Sequence, residues 1–202
     1  MIDDKLVFVE ETHEYFYDRV KVPSVTEIAK PISFERLNDL PKWVVEQARQ
    51  RGTAVHAYAE EYLLCGELDW DSIEPQYLPY VENFVNWART YKPKVLYTEY
   101  RMGCEDFAGT ADLICEIDGK VILVDYKTSS AVDKKSLSVQ LDGYDRLAKK
   151  YGIPIDGYMY LHLKKDGYVF KEVKTDPAWF TILLQHNKKM KEKYNGKSNC
   201  SL

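Results

Sequence analysis

GTADLICEIDGKVILVDYKTSS, Gly109 to Ser130, is the stretch whose reading decides the fold. Two apolar runs flank Asp118–Gly119, a dipeptide that tolerates positive φ and closes a tight hairpin. Yet Asp112 stands early on the first run, and Asp125 and Lys127 stand late on the second. Residues two apart on a strand share a face, so Asp125 and Lys127 point the same way, with Val121 and Leu123 behind them and Tyr126 opposite. A two-residue turn pairs Ile117 with Lys120, and that register sets Asp112 opposite Asp125. The spacing predicts two carboxylates meeting at one end of an apolar hairpin, beside an amine. A bulge would shift the meeting by one residue.

Close carboxylates repel, which raises one pKa unless a cation intervenes. Mg²⁺ takes oxygen ligands and keeps several waters, so two carboxylates plus a substrate phosphate suit it. The amine of Lys127 then serves to neutralise charge on the phosphate or to orient an attacking water. A structural ion pair on a strand has the same Asp-x-Lys pattern, and the hairpin alone does not separate the two readings.

Working outward, VLYTEYRM (95–102) precedes the hairpin strands 107–118 and 120–128, and SLSVQLDGYDRLAKKYG (136–152) follows as a helix ended by Gly152. Two more strands, DGYMYLHLKK and GYVFKEVKT, flank a second turn at Asp166–Gly167. Upstream, KLVFVE and HEYFYD alternate around a turn at Glu11–Thr12. VPSVTEIAK reads as a short helix capped by Ser24 or Thr26 and stopped by Pro31. Helices follow at 41–65, closed by Gly66, and at 76–91, before Pro93. A last helix from Pro177 to Tyr194 leads into a polar tail, NGKSNCSL, read as frayed. The order predicts an α/β (α+β) fold: a central mixed sheet with helices on both sides, and an N-terminal hairpin and helical extension. We read one domain over 1–202: hairpin and helices to residue 92, the sheet core at 93–176, and the C-terminal helix and tail at 177–202.

Composition fits this reading. Of 202 residues 45% are hydrophobic and 30% charged, enough for a core without staples. Net charge is −4, which excludes a simple basic nucleic-acid coat while leaving local binding patches open. Cys65, Cys104, Cys115 and Cys200 show no metal-ligand spacing. Three of them read as buried free thiols, which implies a reducing compartment. No run approaches the ~20 apolar residues of a membrane span, and the acidic MIDDKLVF lacks a signal-peptide core.

Three further features bear on the site. Glu99, on the strand before the hairpin, can add a carboxylate; an exposed strand glutamate is the alternative. His56 lies in RGTAVHAYAEE with Glu60 one turn on, and is either a ligand or a packed helical histidine. Gln140 and Tyr144 share a face of the helix after the hairpin. There they can hold a phosphate, a water or a base, or simply form an amphipathic face.

Taken in order, G-T-A-D, twelve residues, D-Y-K-T and then Q-x-x-x-Y resembles the RecB-type branch of the PD-(D/E)xK nuclease superfamily. R-G-T-x-V-H resembles that branch's helical G-x-x-x-H motif. H-E-Y with V-P-S-V-T is similar to its phage-borne exonucleases and to the mitochondrial genome maintenance exonuclease. The resemblance spans roughly residues 13 to 144. It implies a restriction-endonuclease-like core in which His56, Asp112, Asp125 and the backbone carbonyl of Tyr126 bind Mg²⁺ (or Mn²⁺). Lys127 activates water, Glu99 matches an early acidic position, and Gln140 and Tyr144 position the strand. Ser24, Thr26, Arg51, Thr128 and Ser129 become candidate phosphate contacts. Some relatives carry an iron–sulfur cluster, but Cys200 is the lone cysteine after Cys115, so none is expected here. No Walker A sequence is present, so no helicase motor is expected.

The implied function is metal-dependent hydrolysis of DNA, single-stranded or duplex, entered from an end. The setting is repair, recombination or phage DNA metabolism, with a recombination protein as a possible partner and no membrane. The expected location is the cytoplasm of a bacterial or phage-infected cell, with mitochondrion and nucleus left open. Two competing readings stay: an inactive DNA-end-binding module, and a structural protein with coincident ion pairs.

Overall fold

The computed structural model describes residues 3–33 and 41–198. Strands β1 (Leu6–Val9), β2 (Glu14–Tyr17) and β3 (Val20–Val22) open the chain. Helices α1 (Val25–Ala29), α2 (Lys42–Cys65) and α3 (Leu78–Tyr91) follow. Then come β4 (Lys94–Gly103), β5 (Ala108–Ile117), β6 (Lys120–Lys127), α4 (Lys134–Lys150), β7 (Gly157–Lys164), β8 (Gly167–Glu172) and α5 (Pro177–Ser198). The fold is α+β, with a five-stranded mixed sheet in the order β4-β5-β6-β7-β8 and a small antiparallel sheet β1-β2-β3.

The central hairpin forms as its turn chemistry requires. Asp118 and Gly119 both take positive φ, 51° and 74°, the pair that matches the twist of two antiparallel strands. Ile117 pairs with Lys120, and the ladder runs on to Leu113 opposite Val124. β6 and β7 are parallel, so a crossover must join them, and α4 supplies it. α1, α4 and α5 cover one face of the sheet around Ile114 and Leu123. α2 and α3 cover the other around Leu113, Val124 and Tyr126. With both faces covered, β6 reads as a near-continuous apolar run up to Asp125.

Ser24 is the cap of α1. Its Oγ accepts from the Glu27 amide at 3.0 Å, and Glu27 Oε2 accepts from the Ser24 amide at 2.7 Å, a reciprocal capping box. α4 starts two residues earlier than its apolar pattern suggests, because Asp133 Oδ1 accepts from the amides of Lys135 and Ser136, both at 3.1 Å. β3 was not expected, since three residues are too short to display a period. α5 continues through Ser198, so the first part of the supposedly frayed tail is helical. Residues 199–202, Cys200 among them, lie outside the described residues. Of the three thiols expected to be buried, Cys115 is buried and Cys104 half-buried, whereas Cys65 closes the last turn of α2 and is exposed. Among the described residues no helix is long and apolar enough to cross a membrane.

The approach of α4 to its neighbours depends on Gly143. A Cβ there would stand 2.5 Å from Phe180 and 2.9 Å from Val25, both fully buried. Gly143→Ala gains about 1 kcal/mol of helix propensity, but overpacking costs about 1–3 kcal/mol. A net loss of about 1 kcal/mol is expected in chemical denaturation. A raised midpoint would mean that α4 rides away from α1 and α5 without penalty.

Candidate functional site

β4 carries an extra residue. Val95 pairs with Cys115 but Tyr97 pairs with Ile114, so Leu96 is a bulge. Past it, Thr98 opposes Leu113 and Tyr100 opposes Ala111, which sets Glu99 opposite Asp112. Without the bulge Glu99 would oppose Ala111 and sit one step out of phase with Asp112. Glu99 also has φ of 43°, the left-handed region that non-glycine residues seldom occupy. The alternation of side chains breaks at this point on both strands. Tyr97 and Tyr100, three apart, stack at 4.3 Å. Ala111 and Ile114 share one core while Leu113 belongs to the other. Such local departures are found where a site needs its groups re-aimed.

α2 brings His56 to the same place. Its Nδ1 stands 3.2 Å from Glu99 Oε1 and 3.6 Å from Asp112 Oδ1. The three residues present ligand atoms all within 4.8 Å of one another, a grouping able to hold a metal ion. The far oxygen of Asp112 is fixed by the Tyr126 amide, which donates to Oδ2 at 2.6 Å. His56 packs edge-on against the Tyr126 ring, with centroids 5.4 Å apart.

Asp125 and Lys127 lie on the other face of β6, toward α4. Lys127 Nζ is 2.6 Å from Asp125 Oδ2, off the hydrogen-bonding angle, and donates to Gln140 Oε1 at 3.4 Å. Gln140 is held in turn by Ser136, whose Oγ accepts from its Nε2 at 3.1 Å. Tyr144, one turn along α4, lines the cleft over the carboxylates. Its ring lies against the backbone of β5 at Gly109, where a Cβ would come within 2.8 Å of it. Groups from both layers therefore meet at the end of the hairpin, around Asp112.

The electrostatics follow from crowding. Burial opposes a charged imidazole, but Asp112 and Glu99 outweigh it and carry the His56 pKa from 6.5 to about 9. Burial lifts Asp125 from 3.8 to about 6, with Lys127 pulling down and Asp112 pushing up. Asp112 is raised too, by burial first, against the pull of His56 and with the push of Glu99. A group whose folded pKa is raised stabilises the fold below its unfolded pKa and loses that contribution as pH rises through the folded value. In chelator, stability is therefore expected to fall from pH 3.8 to about 6 through Asp125, and from 6.5 to about 9 through His56. Melting midpoints against pH check this. His56→Gln should flatten the upper limb, and an unaltered limb would remove His56 from the cluster.

The sequence-derived residues distribute as follows. His56, Glu99, Asp112, Tyr144, Ser24 and Thr26 line one cleft of about 460 Å³. Asp125 stands outside the three-residue ligand group, beneath the cleft and 4% exposed. Tyr126 contributes its amide hydrogen to Asp112, and its ring packs on Phe84. Thr128 is buried, and a Cβ added at Gly52 of α2 would stand 3.8 Å from its hydroxyl. Ser129 Oγ donates to the Ala131 carbonyl within its own turn. Arg51 does not reach the cleft: its guanidinium lies over the Tyr80 ring at 5.3 Å, in a separate cavity. At about 100° per residue, Arg51 stands roughly 140° round α2 from His56. The sequence reading missed Thr53, Arg101, Thr110 and Tyr15, which also line the cleft. The spacing of Gly52, Thr53, His56 and Glu60 on α2 could have marked Thr53. Nothing local signals that the Tyr15 hydroxyl reaches Thr110 Oγ1 at 2.7 Å.

No family model matches the chain, and no curated protein matches it. Solved structures do match. The crystal structure of SSO0001 is 15% identical, covering 71% of this chain and 87% of that one, with a TM-score of 0.36. That likeness is too loose to bear on the site.

Proposed function

We propose that this chain is a divalent-metal-dependent deoxyribonuclease of the RecB-type branch of the PD-(D/E)xK superfamily, hydrolysing DNA from an end. The observation that carries the reading is the meeting of His56, Glu99 and Asp112, from three separate elements, beside the Asp125–Lys127 pair. Carboxylate oxygens with one imidazole suit Mg²⁺ or Mn²⁺. His56, Glu99 and Asp112 would hold the ion, with Asp125 next to them. A bound ion of this kind supplies positive charge for the phosphate and a water of lowered pKa.

The chain's own groups do the rest. Asp125 and Gln140 hold the Lys127 ammonium in place, so its charge is preorganised for the anionic transition state. Tyr144 and Gln140 orient the strand, and the hydroxyls of Thr26, Thr53 and Thr110 offer donors to backbone phosphates along the cleft. The reading extends to a role in repair, recombination or phage DNA metabolism, in a thiol-reducing compartment, alongside a recombination partner protein.

End-labelled single-stranded and duplex DNA should be shortened in Mg²⁺ or Mn²⁺, and EDTA should stop it. DNA that is retarded in a gel but never cut under either metal would instead favour an end-binding module.

A further inference from the structure

A second cavity, of about 290 Å³, lies on the far side of α2 from the cleft. Gln47, Gln50 and Arg51, three and four residues apart, form one wall from α2. The cleft-facing stripe of Gly52, Thr53, His56 and Glu60 occupies the opposite side of the same helix. Gln76, Tyr77 and Tyr80, at the start of α3, form the second wall. Lys165, in the β7–β8 turn, closes the third side. That turn is tied to α3 by Asn83, whose Nδ2 donates to the Lys164 carbonyl at 3.0 Å.

The chemistry of this lining is one-sided. It offers a guanidinium, an ammonium, two phenol hydroxyls and three amides, and no carboxylate among the described residues that line it. Arg51 Nε is buried and finds no hydrogen-bond partner among the described residues. A buried guanidinium nitrogen left without an acceptor is costly, and Arg51 is nevertheless held in place over Tyr80. Two of the amides already donate to carboxylates: Gln50 Nε2 to Glu46 at 3.1 Å, and Gln76 Nε2 to Glu74 at 2.8 Å. The N-terminus of α3 opens beside the cavity without a capping side chain or an acid in its first turn, which adds positive potential. The volume is at the small end of ligand pockets.

We propose that this cavity is a phosphate-binding site, with Arg51 and Lys165 as its charged contacts, separate from the metal cluster. Arg51 Nε is itself closed off from the cavity, so a phosphate there meets the outer nitrogens of the planar guanidinium in two-point geometry. The group would come from a free nucleotide or from a nucleic-acid backbone passing outside α2. The proposal does not depend on cleavage in the cleft.

The test is calorimetric titration in EDTA with inorganic phosphate, a 5′-mononucleotide and a short single-stranded oligonucleotide. Saturable phosphate binding is expected, weakened about tenfold by Arg51→Gln and severalfold by Lys165→Ala. Lys165 lies in an exposed turn, so its variant reports even if Arg51→Gln perturbs the packing on Tyr80. Equal affinity for all three probes supports the free-phosphate source, and a tighter oligonucleotide with the same variant pattern supports the backbone. Phosphate binding that survives both variants, or that neither phosphate nor the mononucleotide shows, overturns the proposal.

Discussion

Asp112→Asn is expected to abolish metal-dependent cleavage of DNA, lowering the rate about a thousandfold or more, while the fold stays intact. The substitution is nearly isosteric. Its amide oxygen can still accept from the Tyr126 amide, as Asp112 Oδ2 does at 2.6 Å, so that contact between the two strands is kept. The other atom becomes an NH₂ facing His56 and Glu99, a donor where an ion needs an acceptor. The negative charge that holds the His56 pKa up is lost with it. Three measurements separate the outcomes: cleavage of labelled DNA, Mn²⁺ binding by calorimetry, and the melting midpoint in chelator. Cleavage within tenfold of the parent would remove Asp112 from the reaction. A collapsed midpoint would show that its role is to hold the hairpin together.

How far the site was legible depends on the distance over which each feature is set. The register that brings Asp112 toward Asp125 follows from one dipeptide, Asp118–Gly119, and the ladder from Ile117–Lys120 to Leu113–Val124 keeps it. The shared face of Asp125 and Lys127 follows from strand geometry and reappears as a 2.6 Å contact. Glu99 is different. KVLYTEYRMG gives no sign that Leu96 is an extra residue or that Glu99 turns into positive φ, because a bulge is decided by what the neighbouring strands must satisfy. From sequence Glu99 was the weakest of the acidic candidates, and in the structure it is the one nearest His56. Asp125, read as a ligand, stands outside that three-residue group, with the Lys127 ammonium 2.6 Å from its Oδ2. Which way α2 rolls is set by the packing of its Val55 and Ala59 into the core around Tyr126. No window along the helix contains that information, so the sequence does not show that Arg51 faces a different cavity from His56.

Lys127→Met should cost both activity and stability, and the stability loss is the more discriminating of the two. Asp125 is 4% exposed, and its Oδ2 has the Lys127 ammonium at 2.6 Å. Removing the amine leaves a carboxylate buried without its counter-charge, which typically costs about 3–5 kcal/mol. Lys127 itself is only partly buried, and water entering beside Met should bring the loss to about 2–3 kcal/mol at pH 8. The loss should shrink as pH falls. Burial already holds the Asp125 pKa near 6 against the pull of Lys127, so without that pull the carboxyl titrates higher still and becomes neutral in mildly acidic buffer. Asp125→Asn added to Lys127→Met should recover most of the stability at pH 8, because the orphaned charge is gone, yet recover no cleavage. A double-mutant cycle in denaturant measures the coupling. If Lys127→Met is as stable as the parent at pH 8, or if the second substitution fails to restore it, the ammonium is not neutralising a buried Asp125. If Lys127→Met still cuts DNA at the parent rate, the amine takes no part in phosphodiester hydrolysis, whatever it does for the fold.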